Sequence, residues 1–177
     1  IFQGTISSSG GKLTYDFSKP QEDAIQVEIP FQSNSISMGQ LPMLHYISQL
    51  AAKSEYNNPH SNYCTGTLIY TKNKVMIKDL NFISNRLITI SGDISSNSDG
   101  NMEGELLVGL PTSAITNAKT SQFSKAIDGF HTITVQVGGN IHNIHDNLQE
   151  KLTAPQAINT KAVQKLTAEE EFQALTR

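Results

Sequence analysis

Apolar and polar residues alternate along most of this chain with a period of two, the spacing of strands that bury one face. Phe2, Gly4 and Ile6 share one parity, and Leu13, Tyr15 and Phe17 alternate with Lys12, Thr14 and Asp16. The stretch "SSSGG" between them predicts a hairpin. Ile25, Val27, Ile29 and Phe31 continue the pattern, and Pro30, which has no N–H to donate, predicts that this strand ends or lies at an edge. Leu68 and Tyr70, then Val75 and Ile77, share faces, whereas Leu80 and Phe82 fall on the other parity. That slip predicts a bulge near Lys78 and Asp79. Ile88, Ile90, Gly92 and Ile94 restore the alternation, Asp99-Gly100 marks a hairpin, and Met102, Gly104, Leu106, Val108 and Leu110 form the next apolar face. Ile133, Val135, Val137 and Ile141 form the last long one.

The period changes to 3.6 in three places. Leu44, Ile47, Leu50 and Ala51 make an apolar stripe within 40–53, with Pro42 suited to a first helical turn. Ile115, Ala118, Phe123 and Ile127 predict a second helix within 112–127. Leu148 and Leu152 begin a helical tail, broken near Pro155, in which Thr167 and Glu170 form a capping box ahead of Phe172 and Leu175. The pattern therefore predicts a mainly β protein with a few helices. We expect a twisted antiparallel sheet of about seven to nine strands forming a groove or half-barrel, with two packed helices. Residues 1–152 form the β domain and 153–177 a helical, mobile tail in this reading.

At 177 residues the chain is long enough to bury a core without staples, and its net charge of -3 offers no basic footprint for nucleic acid. No apolar stretch reaches the roughly 18 residues of a membrane-spanning helix. The opening Ile1, already inside a strand pattern, predicts a piece of a longer protein with any targeting segment or membrane anchor upstream.

Candidate chemistry is sparse. The single cysteine, Cys64, opens a strand and has no cationic neighbour in sequence to activate it. "HNIHD" contains His142, His145 and Asp146, but residues three apart on a strand point to opposite faces and do not share one ion. His45 and His60 match no zinc spacing, and no Gly-x-Ser-x-Gly elbow occurs. Gly10-Gly11 and Gly138-Gly139 lack the strand, loop and helix order of a nucleotide site and predict turns or bulges. Glu103 and Glu105 lie on one outer strand face, and Glu169 to Glu171 start a helix where its dipole favours them. We expect no enzyme activity and no cofactor.

The order of motifs in "GTLIYTKNKVMIKDLNFISNRLITISGDISSNSDGNMEGELLVGLP" resembles the C-terminal region of AsmA-like proteins of the bacterial envelope, relatives of the TamB group. The matching positions are Gly66-Thr67, Ile77 to Leu80, Leu87 to Ile94 and Gly104 to Pro111. "VQVGGNIHNIHDNLQEKL" is similar to the closing strand of that family, except that Ile144 and His145 stand where a proline is expected. The resemblance covers residues 63–111 and 133–152, and its motifs are β patterns rather than catalytic signatures. It implies a periplasmic segment of a membrane-anchored protein that serves lipid transport or outer-membrane biogenesis, with phospholipid acyl chains and envelope proteins as partners. It also implies an apolar groove, and Ile88, Ile90, Leu106, Val108, Ile133, Val135 and Val137 are the residues expected to line it. The same alternation equally describes a closed β-sandwich that binds or assembles with protein, as an adhesin-like module does, without lipid. A sealed core distinguishes that reading from an open groove.

Overall fold

The computed structural model describes residues 1–20, 24–115, 122–124 and 129–153. The chain runs β1 (Phe2–Gly4), β2 (Lys12–Tyr15), β3 (Ile25–Ser33), β4 (Ile36–Met38) and α1 (Pro42–Ala51), then a 3₁₀ turn at Ser54–Asn57. A meander of long strands follows: β5 (Tyr63–Thr71), β6 (Lys74–Ser84), β7 (Ile88–Asn97) and β8 (Asn101–Pro111). After a 3₁₀ turn at Thr112–Ala114 come β9 (Phe130–Asn140), β10 (Asn143–Asp146) and α2 (Leu148–Thr153). Eight strands form one open antiparallel sheet in the order β10-β9-β8-β7-β6-β5-β3-β2, and β1 and β4 form a separate pair. The expected sheet of mainly β character, with two helices, is therefore present.

Residues aligned across antiparallel strands share a face, so the register sorts the inner face into rows. One row reads Ser33, Cys64, Phe82, Ile90, Val108, Ile133, and each of these is buried. Another reads Ile29, Leu68, Ile77, Ile94, Gly104, Val137, Asp146. A third crosses all eight strands: Leu13, Val27, Tyr70, Val75, Ser96, Met102, Gly139, Ile144. The parity slip in β6 is a register shift between Ile77 and Leu80, with Asp79 at φ 52°. Across from it Gly92 has φ 137°, and a Cβ there would meet the Glu105 carbonyl oxygen at 2.1 Å, so the bulged ladder requires glycine at this point.

Several expectations are corrected. β1 pairs with β4, not with β2, because the serine and glycine segment does not fold back. It runs on beside β3 instead: Ser7 and Gln32 exchange two backbone bonds, and Ser8 Oγ donates to the Pro30 carbonyl at 2.7 Å. Pro30 consequently sits inside β3, flanked by β2 and β5. The Gln32 N–H points toward the β2 side, so by alternation the position where Pro30 lacks an N–H faces the same side, where residues 8–11 bulge away. Ile141 lies in the turn after β9 rather than in the strand.

The helix expected over 40–53 is α1, which buries Met43, Leu44, Ile47 and Ser48. The insert after Pro111 opens with one 3₁₀ turn rather than an α-helix. Ser124 then bonds Thr132, which ties that segment to β9; residues 116–121 and 125–128 lie outside the described residues. Among the described residues the other helix packed on the core is α2, through buried Leu148 and Leu152, at the start of the expected tail. The rest of that tail, 154–177, also lies outside the described residues.

Candidate functional site

All seven residues expected to line a groove point to the inner face, as the alternation requires, but the structure places them in the interior. Ile88, Ile90, Leu106, Val108, Ile133, Val135 and Val137 are each buried, in one cluster with Ile36 and Met38 of β4, Leu41 at the start of α1, Met43, Leu44 and Ile47 of α1, and Leu148 and Leu152 of α2. Strands, helices and sheet thus close over the central rows.

Toward β2 the same face is left uncovered by the described residues. Leu13 is 70% exposed, Tyr70 50% and Val75 41%, and Tyr15 and Ile25 are exposed beside them. Val27, Ile29, Leu68 and Ile77 fill the spaces between as half-buried neighbours. Where the covered and open halves meet, a cleft of about 390 Å³ is lined by Ile1, Phe2, Val75, Ile77, Ile94, Met102 and Ile141, together with Gln40, Ser95 and Ser96. This is the small end of the volumes that hold small ligands. A contiguous exposed apolar strip on one sheet face is the kind of surface that marks an interaction site. The sequence carried half of this signal, since the strip residues alternate as clearly as the central ones.

Several of the titratable groups singled out in the sequence are engaged in structure. His45 bonds Asn57 and Gln49 on the outside of α1, and His60 bonds Ser37 across an isolated bridge. His131 Nδ1 lies 2.9 Å from the Ser124 carbonyl oxygen. His145 lies over Gly138, where a Cβ would come within 3.2 Å of its Nε2, while Gly139 has φ 100° and a Cβ there would meet the Asn143 carbonyl oxygen at 2.4 Å, so the backbone requires glycine at the second position. Glu103 accepts from Lys74 Nζ at 2.9 Å, and that ammonium holds the carboxyl below the usual range; Glu105 accepts from Gln136. Among the described residues no three of His, Cys, Asp or Glu converge as a metal site would require.

Cys64 is buried between Ser33 and Phe82, and burial pushes its thiol up to about 11. Only the thiolate reacts, and at neutral pH it is a minute fraction. Iodoacetamide is therefore expected to leave Cys64 unmodified in the folded protein over a time in which urea-unfolded protein reacts fully, as read by mass spectrometry. Labelling at the unfolded rate would show that β5 separates from its neighbours.

One carboxylate has a role that the alternation did not reveal. Asp146, at the end of β10, accepts from the Met43 N–H at the start of α1 through Oδ2 and from the Leu148 N–H at the start of α2 through Oδ1, the latter at 3.1 Å. α1 begins at Leu41 and Pro42 with no side-chain cap of its own, so its cap is supplied from far along the chain.

No family model, curated protein or solved structure matches this chain.

Proposed function

We propose that this chain is a non-catalytic segment of an AsmA-like envelope protein that holds the acyl chain of a phospholipid on the uncovered half of its inner sheet face. The observation that carries the reading is the continuity of that face: the row Ile94, Ile77, Leu68, Ile29 runs from buried to half-buried positions, and the next row, beyond Ser96, ends in Val75, Tyr70, Val27 and Leu13, which stay exposed or half-buried among the described residues. The seat moves from the central strands to β2, β3, β5 and β6. Aliphatic and tyrosine side chains there bind by desolvation, about 0.8 kcal/mol per buried methylene, which retains a chain in water without selecting a head group. Periplasmic placement and a part in lipid transport belong to the same proposal.

The test is photo-crosslinking of a phospholipid with its photoreactive group on the acyl chain. The wild-type protein is expected to crosslink on peptides containing Tyr70 or Val75. Tyr70→Glu with Val75→Glu is expected to melt within a few degrees of wild type and lose the crosslink, because both positions reach water. Leu107→Glu, exposed on the opposite face, is expected to keep it. A wild-type protein that neither crosslinks nor retains lipid in native mass spectrometry overturns the lipid reading. The sealed central rows favour the second reading in that event: a closed β module that assembles with protein.

A further inference from the structure

We infer that the β2 edge of the sheet is a self-association surface, at which a second copy of this chain adds its own β2 in antiparallel register about a two-fold axis at Thr14. The inference concerns the backbone edge and is independent of any ligand on the face.

The two ends of the sheet differ. Both end strands are four residues long, but at the far end the edge of β9 beyond β10 is closed by the segment that follows. Asn147 exchanges bonds with Gln136, and Lys151 Nζ donates to the Thr134 carbonyl at 2.7 Å. At the near end, all four residues of β2 are exposed and no described strand lies outside it. The Asp16 N–H donates to Ala24 of the incoming chain at 2.9 Å. By the alternation of an antiparallel ladder, Lys12, Thr14 and Asp16 bond inward to β3, while the N–H and C=O groups of Leu13 and Tyr15 point outward. Such an edge is a template for another strand unless something blunts it.

The sequence of this edge selects its partner. "GKLTYDF", Gly11 to Phe17, is self-complementary when two copies run antiparallel about Thr14. Lys12 then stands opposite Asp16 of the second copy, Leu13 opposite Tyr15, and Thr14 opposite Thr14. Asp16 already accepts from the Ser18 N–H and hydroxyl and lies 3.6 Å from Lys19 in the turn that ends the strand, so Lys12 of the second copy adds to a carboxylate already in use. Opposite charges, Thr–Thr and aromatic–aliphatic are the pairs that stabilise adjacent strands. The outward-pointing Leu13 and Tyr15 bond each other in this register. Sliding by two residues in either direction keeps the faces aligned but sets Lys12 or Asp16 opposite Thr14. Sliding by one sets Leu13 opposite Thr14 and reverses the second sheet. The cross-strand pairs together therefore favour the register about Thr14, and the association is weak and reversible given the short strand and the exposed charges.

Cysteine pairs in the full chain read that register directly, and buried Cys64 does not compete. Thr14→Cys is expected to form an intermolecular disulfide on mild oxidation. Lys12→Cys and Asp16→Cys are each expected to stay monomeric alone and to crosslink when mixed. Sedimentation equilibrium across micromolar to millimolar concentrations is expected to show a monomer–dimer equilibrium. Leu13→Pro, which removes an outward N–H and no bond to β3, is expected to weaken it at least about tenfold without lowering the melting temperature. Three results overturn the inference: a monomer at every concentration with no Thr14→Cys disulfide, a dimer in which Thr14→Cys does not crosslink, or equal crosslinking of all three single variants, which would report random collision.

Discussion

Replacing Val108 with glutamate is expected to abolish cooperative folding. Val108 is fully buried between Ile90 and Ile133, beneath the cluster that α1, α2 and β4 bring to the sheet. No described polar side chain shares its row except Ser33 at the far end, three strands beyond Ile90. A carboxylate at this depth costs several kcal/mol in lost solvation, and the longer side chain adds overpacking. A domain of this size has about 5–15 kcal/mol in total, so the loss consumes most of it. Near-ultraviolet circular dichroism and a urea transition are expected to show no native baseline for Val108→Glu. Val75→Glu, on the same face but 41% exposed, is expected to keep both. If Val108→Glu folds with a normal transition, the covering elements lift from the sheet readily enough to admit water, and the central strands become part of the open surface.

The contrast between Val108 and Val75 shows where sequence reasoning ended. Alternation reports which side chains share a face, and it did so correctly for both residues. Depth along the strand is another matter, because nothing in a period of two records what a second layer covers. Local signals were sound where the cause was local. The slip between Ile77 and Leu80 gave the bulge, Asp99-Gly100 gave the turn from β7 to β8, and the 3.6 spacing of Leu44 and Ile47 gave α1. Signals with two physical causes were misread. Gly10-Gly11 serves a bulge as well as a turn, and the choice went to the bulge because β4 supplied β1 with a partner. Pro30 was tolerable in an inner strand because the adjacent chain bulges where its N–H is missing, a compensation that lies some twenty residues away in sequence. The cap on α1 lies farther still. The lack of a side-chain cap at Leu41 is a finding of the structure, and no rule of spacing pointed to Asp146.

Replacing Asp146 with alanine is expected to remove about 2–3 kcal/mol of stability, the cost of two helix N-caps lost together. The size follows from geometry. α1 has no side-chain cap of its own at Leu41, so its Met43 N–H loses its acceptor, and Leu148 loses one in the same step. α1 and α2 both cover the central rows, so the loss is expected in the global urea transition rather than as local fraying. Leu13→Ala, on the exposed edge, is expected to change that transition little and serves as the control. The pH dependence separates the forces on the carboxyl. Burial raises Asp146 above the ordinary carboxylate range, against the bonds from Leu148 and Met43 and the charge of His145, which act to lower it. The folded protein therefore keeps this proton at pH values where the unfolded chain has released it. By linkage, the Asp146 contribution to stability is fully present below the unfolded value of about 3.9 and declines as pH rises through the higher native value, then stays level. Asp146→Asn does not titrate, so the stability of wild type minus that of Asp146→Asn is expected to fall with rising pH across this window. A difference that rises instead would mean that the two helix N-termini outweigh burial and hold the group as a carboxylate, and Asp146→Asn would then lose most where the wild type is charged.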